Sequence, residues 1–125
     1  MSTSRNGRGQ AKTPYAEILA VLVRQRGVLG SFVVSERDGI AVDSNAQIGV
    51  HAEAVAALAA SLHRKARLAC GAAGCGDVTF LRLDAERGGI CAAGRDDLVL
   101  VTISETRANI GLLRVEMMRA AKALT

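Results

Sequence analysis

The sequence predicts a single α/β (α+β) domain in three layers, an α/β/α sandwich around a five-stranded, mostly antiparallel sheet. Short apolar runs are joined by tight turn sequences such as Asp38-Gly39, which connect antiparallel strands. Three longer segments repeat their apolar residues at helical spacing. Residues 98–103 are apolar throughout, which is typical of a central strand covered on both faces. The predicted order is αββαβββα.

The first elements follow from local signals. Residues 1–12 are polar, basic and rich in glycine, so we expect a disordered basic tail there and a single domain over residues 13–125. Thr13-Pro14 is typical of a helix start, and Gly27 of a helix end. Val28–Ser35 is β-branched and aromatic and predicts a strand. Residues 40–44 form the returning strand.

The middle helix is predicted over residues 50–69 and is rich in alanine. Val55, Leu58 and Leu62 mark its expected core stripe, with Ala59 and Ala66 beside them. Small side chains on the opposite side either let another helix approach closely or reflect only the high helix propensity of alanine. The residues assigned to that opposite side are Glu53, Ala56, Ala60, Arg64 and Arg67.

The second half of the chain alternates turns with strands. Residues 71–76 form a glycine-rich connector that lacks the Gly-Lys-Ser/Thr ending of a phosphate-binding loop. Strands are predicted over residues 78–83, 90–93 and 98–103, with a turn at Gly88-Gly89. The last helix is predicted over residues 109–124, with Leu113 and Met117 in its buried stripe.

Composition excludes several classes of function. Aromatic residues make up 2% of the chain and none lies in a basic cluster, so nucleic-acid binding is not expected. An odd number of cysteines and no apolar leader or membrane-spanning run predict a cytoplasmic protein that does not insert into membranes. Cys70 and Cys75 leave a regulatory redox role open. The sequence presents no recognisable nucleophile with its base and no pattern of metal ligands, so we predict no catalytic residue, no metal and no cofactor.

Three segments in this order resemble the Roadblock (dynein light chain) domain, and within it the MglB-like bacterial branch. The first is residues 30–35 followed by residues 38–42, which resembles the family's strand, Asp-Gly turn and strand. The second is the small-residue helix at residues 53–61. The third is the apolar strand at residues 97–103 followed by residues 109–114. The resemblance spans nearly the whole chain.

The resemblance implies a profilin-like fold and a homodimer that pairs the middle helix and the third strand of each copy. It places candidate dimer-interface residues at Ala56, Ala60, Arg64 and Phe80, so Ala60→Glu is expected to give monomers. It also implies a small Ras-like GTPase of the MglA type as partner. The candidate partner-binding residues are Glu53, His63 and Arg67.

Three functions remain open from the sequence. The first is a non-catalytic, homodimeric platform that modulates the nucleotide cycle or the localisation of the GTPase. The second is a scaffold or adaptor in a signalling or motility complex. The third is a ligand-sensing module, which needs a cavity that large residues such as Leu58 and Met117 are expected to fill.

Overall fold

A computed structural model of the protein describes residues 13–47 and 49–124. Three helices and five strands follow in the predicted order αββαβββα. Their bounds are α1 Ala16–Val23, β1 Val28–Ser35, β2 Ile40–Ala46, α2 Ala52–Ala72, β3 Leu81–Ala85, β4 Gly88–Arg95, β5 Leu98–Ser104 and α3 Ile110–Ala121. The predicted tail, residues 1–12, lies outside the described residues.

The five strands form one antiparallel sheet in the order β2-β1-β5-β4-β3. This confirms the predicted fold class. The central position of β5 follows from its sequence, because Val99 and Val101 face one side of the sheet and Leu100 faces the other, all fully buried. The strands β2 and β3 form the two edges.

Helices cover the two faces of the sheet unequally. On one face, α1 lies over β1 and β2 while α3 lies over β4 and β5. Their core includes Leu19, Leu113 and Met117. On the other face, α2 is alone and lies mainly over β2 and β1. The β4 and β3 half of this second face is therefore the part of the sheet with the least cover.

Gly88 and Gly89 were predicted to form a turn, but they begin β4, and the turn lies at Glu86-Arg87. A Cβ atom on Gly88 would lie 2.4 Å from the carbonyl oxygen of Ser104. A Cβ atom on Gly89 would lie 2.6 Å from the carbonyl oxygen of Leu83. The two glycines therefore allow neighbouring backbones to approach closely within the sheet.

Candidate functional site

The inner face of α2 carries small side chains that lie directly on the sheet. Ala56 is fully buried, and Ala60 is only 1% exposed. The core beneath includes Phe32 and Val101, and alanines let the helix approach these larger side chains closely. The prediction that Ala56 and Ala60 lie on the side away from the sheet is therefore wrong.

Large apolar residues occupy the outer side of α2 instead. Leu58 is 71% exposed and Leu68 is 63% exposed. Val55 and Leu62 are half-buried. The predicted core stripe is wrong for Leu58, and the core side of the helix is turned toward Ala56 and Ala60 relative to the sequence prediction. We call Val55, Leu58 and Leu62 the α2 strip.

The α2 strip lies on the flank of the helix that faces the less covered half of the sheet. On the other flank, Arg64 Nη2 donates to the carbonyl oxygen of Glu36 at 2.7 Å, next to the β1–β2 turn. Successive residues of a helix are rotated by about 100° around its axis. The α2 strip therefore lies on the side of the helix away from Arg64 and projects away from this turn. Val55 packs against the same core cluster as Leu81 and Ile90 of β3 and β4.

An open apolar groove lies beside β3, next to that half of the sheet. It has a volume of about 360 Å³, and its apolar walls include Leu29, Leu83, Ile90 and Ile103. Leu83 is 45% exposed. Among the described residues, β3 pairs with β4 alone, so its outer backbone groups remain free to bind another strand. We call the α2 strip, this groove and the free edge of β3 the α2–β3 surface.

Phe80 precedes β3 and does not belong to this surface. Its ring packs against the core under α1 and α3, on the opposite face of the sheet. The guanidinium carbon of Arg114 lies 5.2 Å from the ring centroid, within the range of a cation–π contact. Contacts within its own chain therefore hold Phe80, and its candidate role at a dimer interface stays a prediction.

A buried polar cluster fixes α2 to the β1–β2 turn. Glu36 and His63 are 6% and 3% exposed, and His63 Nδ1 lies 2.5 Å from Glu36 Oε2. The Arg67 guanidinium forms an ion pair with the same carboxylate, in which Nε donates to Oε1 at 3.1 Å. The backbone N–H of Glu36 donates to the carbonyl oxygen of Asp97 at 2.8 Å, which adds the β4–β5 turn. This cluster is a structural clamp between three elements.

The arrangement suits association with another protein. It combines an exposed apolar helix face with an unpaired strand edge, the features through which sheets and helices add partners. The residues described contain no group of three or more His, Cys, Asp or Glu side chains placed to hold a metal ion.

A sequence model of the Roadblock/LC7 domain matches residues 15–104. The chain belongs to the Roadblock/LC7 domain family. An uncharacterised protein of Methanocaldococcus jannaschii is 31% identical over 104 residues, which cover 83% of this chain and 87% of that protein.

Solved Roadblock structures have the same fold. A crystal structure of a Roadblock/LC7 domain from Streptomyces avermitilis matches with a TM-score of 0.79 at 20% identity, over 86% of this chain and 92% of that one. A structure of MglB with a tetrameric arrangement also matches with a TM-score of 0.79 at 20% identity, over 92% of this chain and 90% of that one. At this identity the likeness shows the fold.

The predicted partner-binding residues have different environments in this Roadblock chain. Glu53 is exposed in the first turn of α2. His63 is buried, so in the single chain its side chain is not available as a partner contact. Arg67 is 46% exposed, and its guanidinium is already bound to Glu36. Of the three, Glu53 alone remains free of the clamp.

Sequence reasoning missed Glu36, the centre of the clamp. Two signals were present. Glu36 is a charged residue directly after an apolar strand, and His63 and Arg67 are four residues apart, so they share one face of α2. Gly94 leaves room for the His63 ring, because a Cβ atom at position 94 would lie 2.7 Å from His63 Cε1. A long-range pairing of this kind is visible only after α2 has been oriented on the sheet.

The clamp predicts loss of stability in acid. The hydrogen bond from Arg67 is the main cause that holds the pKa of Glu36 below its ordinary value of 4.5; burial opposes it, and the His63 contact adds to it. The unfolded chain therefore binds more protons than the folded one as the pH falls through 4.5, and unfolding is favoured there. We expect Glu36→Gln to lower the free energy of unfolding at neutral pH by about 2 kcal/mol and to flatten its fall in acid.

Urea unfolding at a series of pH values measures this effect. Glu86→Gln is the matched control, because the Glu86 side chain is 88% exposed and, within the part of the chain that the structure describes, is paired with its neighbour Arg87 alone. It should leave both the stability and its pH dependence unchanged. An unaltered acid profile in Glu36→Gln would contradict the clamp.

None of the described helices is both long enough and apolar enough to span a membrane.

Proposed function

We propose that this Roadblock chain self-associates through the α2–β3 surface and that the assembled form is a non-catalytic cytoplasmic regulator of a small Ras-like GTPase. The observation that carries the proposal is the position of the α2 strip, in which Leu58 is 71% exposed, beside an apolar groove and an unpaired strand edge. Large apolar side chains that a single chain leaves in water are typical of an interface.

A second copy of the chain fits this surface by symmetry. Two β3 strands that pair antiparallel about a two-fold axis extend the sheet and leave no free β3 edge in either copy. The same rotation brings the two α2 helices onto one face of the joined sheet. There the α2 strip of each copy covers apolar surface of the other, including Leu58, which is 71% exposed in the single chain. The tetrameric arrangement of MglB supports self-association in this fold.

The GTPase as partner rests on the family. The resemblance to the MglB-like branch implies a platform that acts on an MglA-type GTPase without hydrolysing GTP itself. Pairing through the α2–β3 surface leaves other parts of each copy free. The free parts include Glu53 at the start of α2, which remains the candidate partner contact among the residues predicted from the sequence.

The test is binding to small Ras-like GTPases from the same organism, starting with any that is encoded next to the gene for this protein. Each GTPase is loaded with GDP or with a GTP analogue that resists hydrolysis, and its binding to the immobilised chain is measured by interferometry. We expect a clear difference in affinity between the two nucleotide states. A change in the rate of GTP hydrolysis or of nucleotide exchange then identifies the step that is regulated.

An adaptor role is the second candidate. A separate exposed apolar pair on α3, Leu112 and Val115, favours it, because these side chains are 50% and 51% exposed and lie on the opposite face of the sheet from α2. Equal binding to both nucleotide states, without an effect on either rate, would reject the regulator and leave the adaptor.

A further inference from the structure

Helix α2 ends in a turn that brings two cysteines together. The backbone N–H of Cys75 donates to the carbonyl oxygen of Cys70 at 2.8 Å, and that of Gly74 donates to Gly71 at 3.1 Å. Gly74 has a φ of +75°, in the left-handed region. These two hydrogen bonds and the left-handed glycine define a Schellman motif, in which the side chains at the positions of Cys70 and Cys75 commonly contact each other.

The backbone geometry places both cysteines within reach of a disulfide. Because Cys75 N and Cys70 O are 2.8 Å apart, covalent bond lengths limit the Cα–Cα separation of Cys70 and Cys75 to roughly 6.7 Å. Disulfides span Cα–Cα distances of about 4.4–6.8 Å. The separation of the two Cα atoms is therefore within the range that a disulfide spans.

The two thiols are also accessible. Cys75 is exposed and Cys70 is half-buried. Cys91 lies in β4 and is only 1% exposed. Burial raises the pKa of the Cys91 thiol, which keeps it protonated and unreactive. An oxidant in solution can thus react first with the Cys75 thiol, and the Cys70 thiol is then available as the second reactant.

We propose that Cys70 and Cys75 form a reversible intrachain disulfide at the end of α2, closed by exchange with a small-molecule disulfide. The Cys75 thiolate attacks one sulfur of that disulfide and releases the first small thiol. The Cys70 thiolate then attacks the Cys75 sulfur of the mixed disulfide and releases the second. The protein loses two electrons and two protons, and the small disulfide is reduced to two thiols.

The bond has a defined structural effect. It closes the last turn of α2 onto the connector that leads to β3, in which Gly74 and Gly76 both have left-handed φ angles. In the reduced protein, hydrogen bonds from the backbone N–H groups of Gly74 and Cys75 hold this turn. In the oxidised protein, the cross-link removes conformational freedom from the unfolded chain, so we expect Tm to rise by roughly 5 °C. This site is independent of the proposed association and of any GTPase.

Equilibration of the whole protein with graded ratios of reduced and oxidised glutathione tests the site. After acid quenching, alkylation and digestion with trypsin, mass spectrometry should find the peptide of residues 68–82 without alkyl groups and lighter by two hydrogen atoms than the reduced peptide. Treatment with dithiothreitol before alkylation should restore the reduced form, which is alkylated at both cysteines. Cys91 should remain alkylatable after unfolding. Cys75→Ser should abolish the product and the rise in Tm, whereas Cys91→Ser should preserve both.

Three outcomes would overturn the proposal. They are a stable mixed disulfide with glutathione on Cys75, a disulfide between two chains on a non-reducing gel, and an unmodified peptide 68–82 at the most oxidising ratio. Because Cys75 is exposed, Cys75→Ser should fold normally, and its reduced Tm should match that of the reduced wild type.

Discussion

Leu58→Glu is expected to leave the protein folded and to abolish its self-association. Leu58 is 71% exposed in the single chain, so the substitution removes little packing there. In the proposed assembly the same position is covered by the second copy, and two new carboxylates would be buried without partners. An uncompensated buried charge costs about 3 kcal/mol or more, so we expect association to weaken at least ~100-fold. Sedimentation velocity over a range of concentrations measures this directly.

Val115→Glu is the matched control for this variant. Val115 is a large apolar residue, 51% exposed, on α3 rather than α2. The substitution adds the same charge at a comparable exposure but away from the α2–β3 surface, so the protein should associate as the wild type does. Association of Leu58→Glu at the wild-type strength would show that α2 does not form the interface.

Ala60→Glu is expected to unfold the protein rather than to separate its copies. Ala60 is 1% exposed between α2 and the sheet, in the core cluster that contains Phe32 and Val101. A glutamate there has neither room nor a partner in that apolar core. Overpacking and burial of a charge together destabilise a domain by about 4 kcal/mol or more, which is a large part of the stability of a domain this size. Circular dichroism melting should show lost or strongly lowered cooperativity.

Ala54→Glu is the control for this second variant. It makes the same substitution on the same helix, but Ala54 is exposed. Its Tm should stay close to that of the wild type. A folded, monomeric Ala60→Glu protein with a wild-type Tm would restore the orientation of α2 that the sequence alone predicted.

The element order and the strands β1 and β5 were predictable because their signals are local. β1 was predicted at its observed bounds, Val28–Ser35, since a β-branched run is followed within three residues by the Asp38-Gly39 turn. β5 was predicted as a central strand because both of its faces are apolar. Each of these inferences needs only a few neighbouring residues.

The orientation of α2 was not predictable from its own residues. Both sides of this helix are apolar, one with leucines and the other with alanines, so apolar periodicity alone does not identify the inner side. The decision depends on the size of the side chains that the sheet presents. A sheet surface containing Phe32 and Val101 takes the small residues of the helix, and the leucines remain on the outer side. The predicted placement of Ala56 and Ala60 on the open side of α2 was wrong for this reason.

The clamp shows the same limit for polar residues. Glu36 and His63 are separated by 27 positions along the chain. Their pairing depends on how α2 lies over the β1–β2 turn, and its position beside Gly94 depends on the β4–β5 hairpin as well. The sequence indicates charged residues near strand ends, and the fold decides which of them meet.

The most direct test of the central claim uses a small Ras-like GTPase loaded with GTP. It compares the binding of this GTPase to the wild type with its binding to Leu58→Glu. The claim is that the assembled chain, joined through the α2–β3 surface, is the form that binds the GTPase. We predict nucleotide-dependent binding to the wild type and to Val115→Glu, and loss of that binding in folded, monomeric Leu58→Glu. Equal binding of the GTPase to wild type and to monomeric Leu58→Glu would contradict the claim.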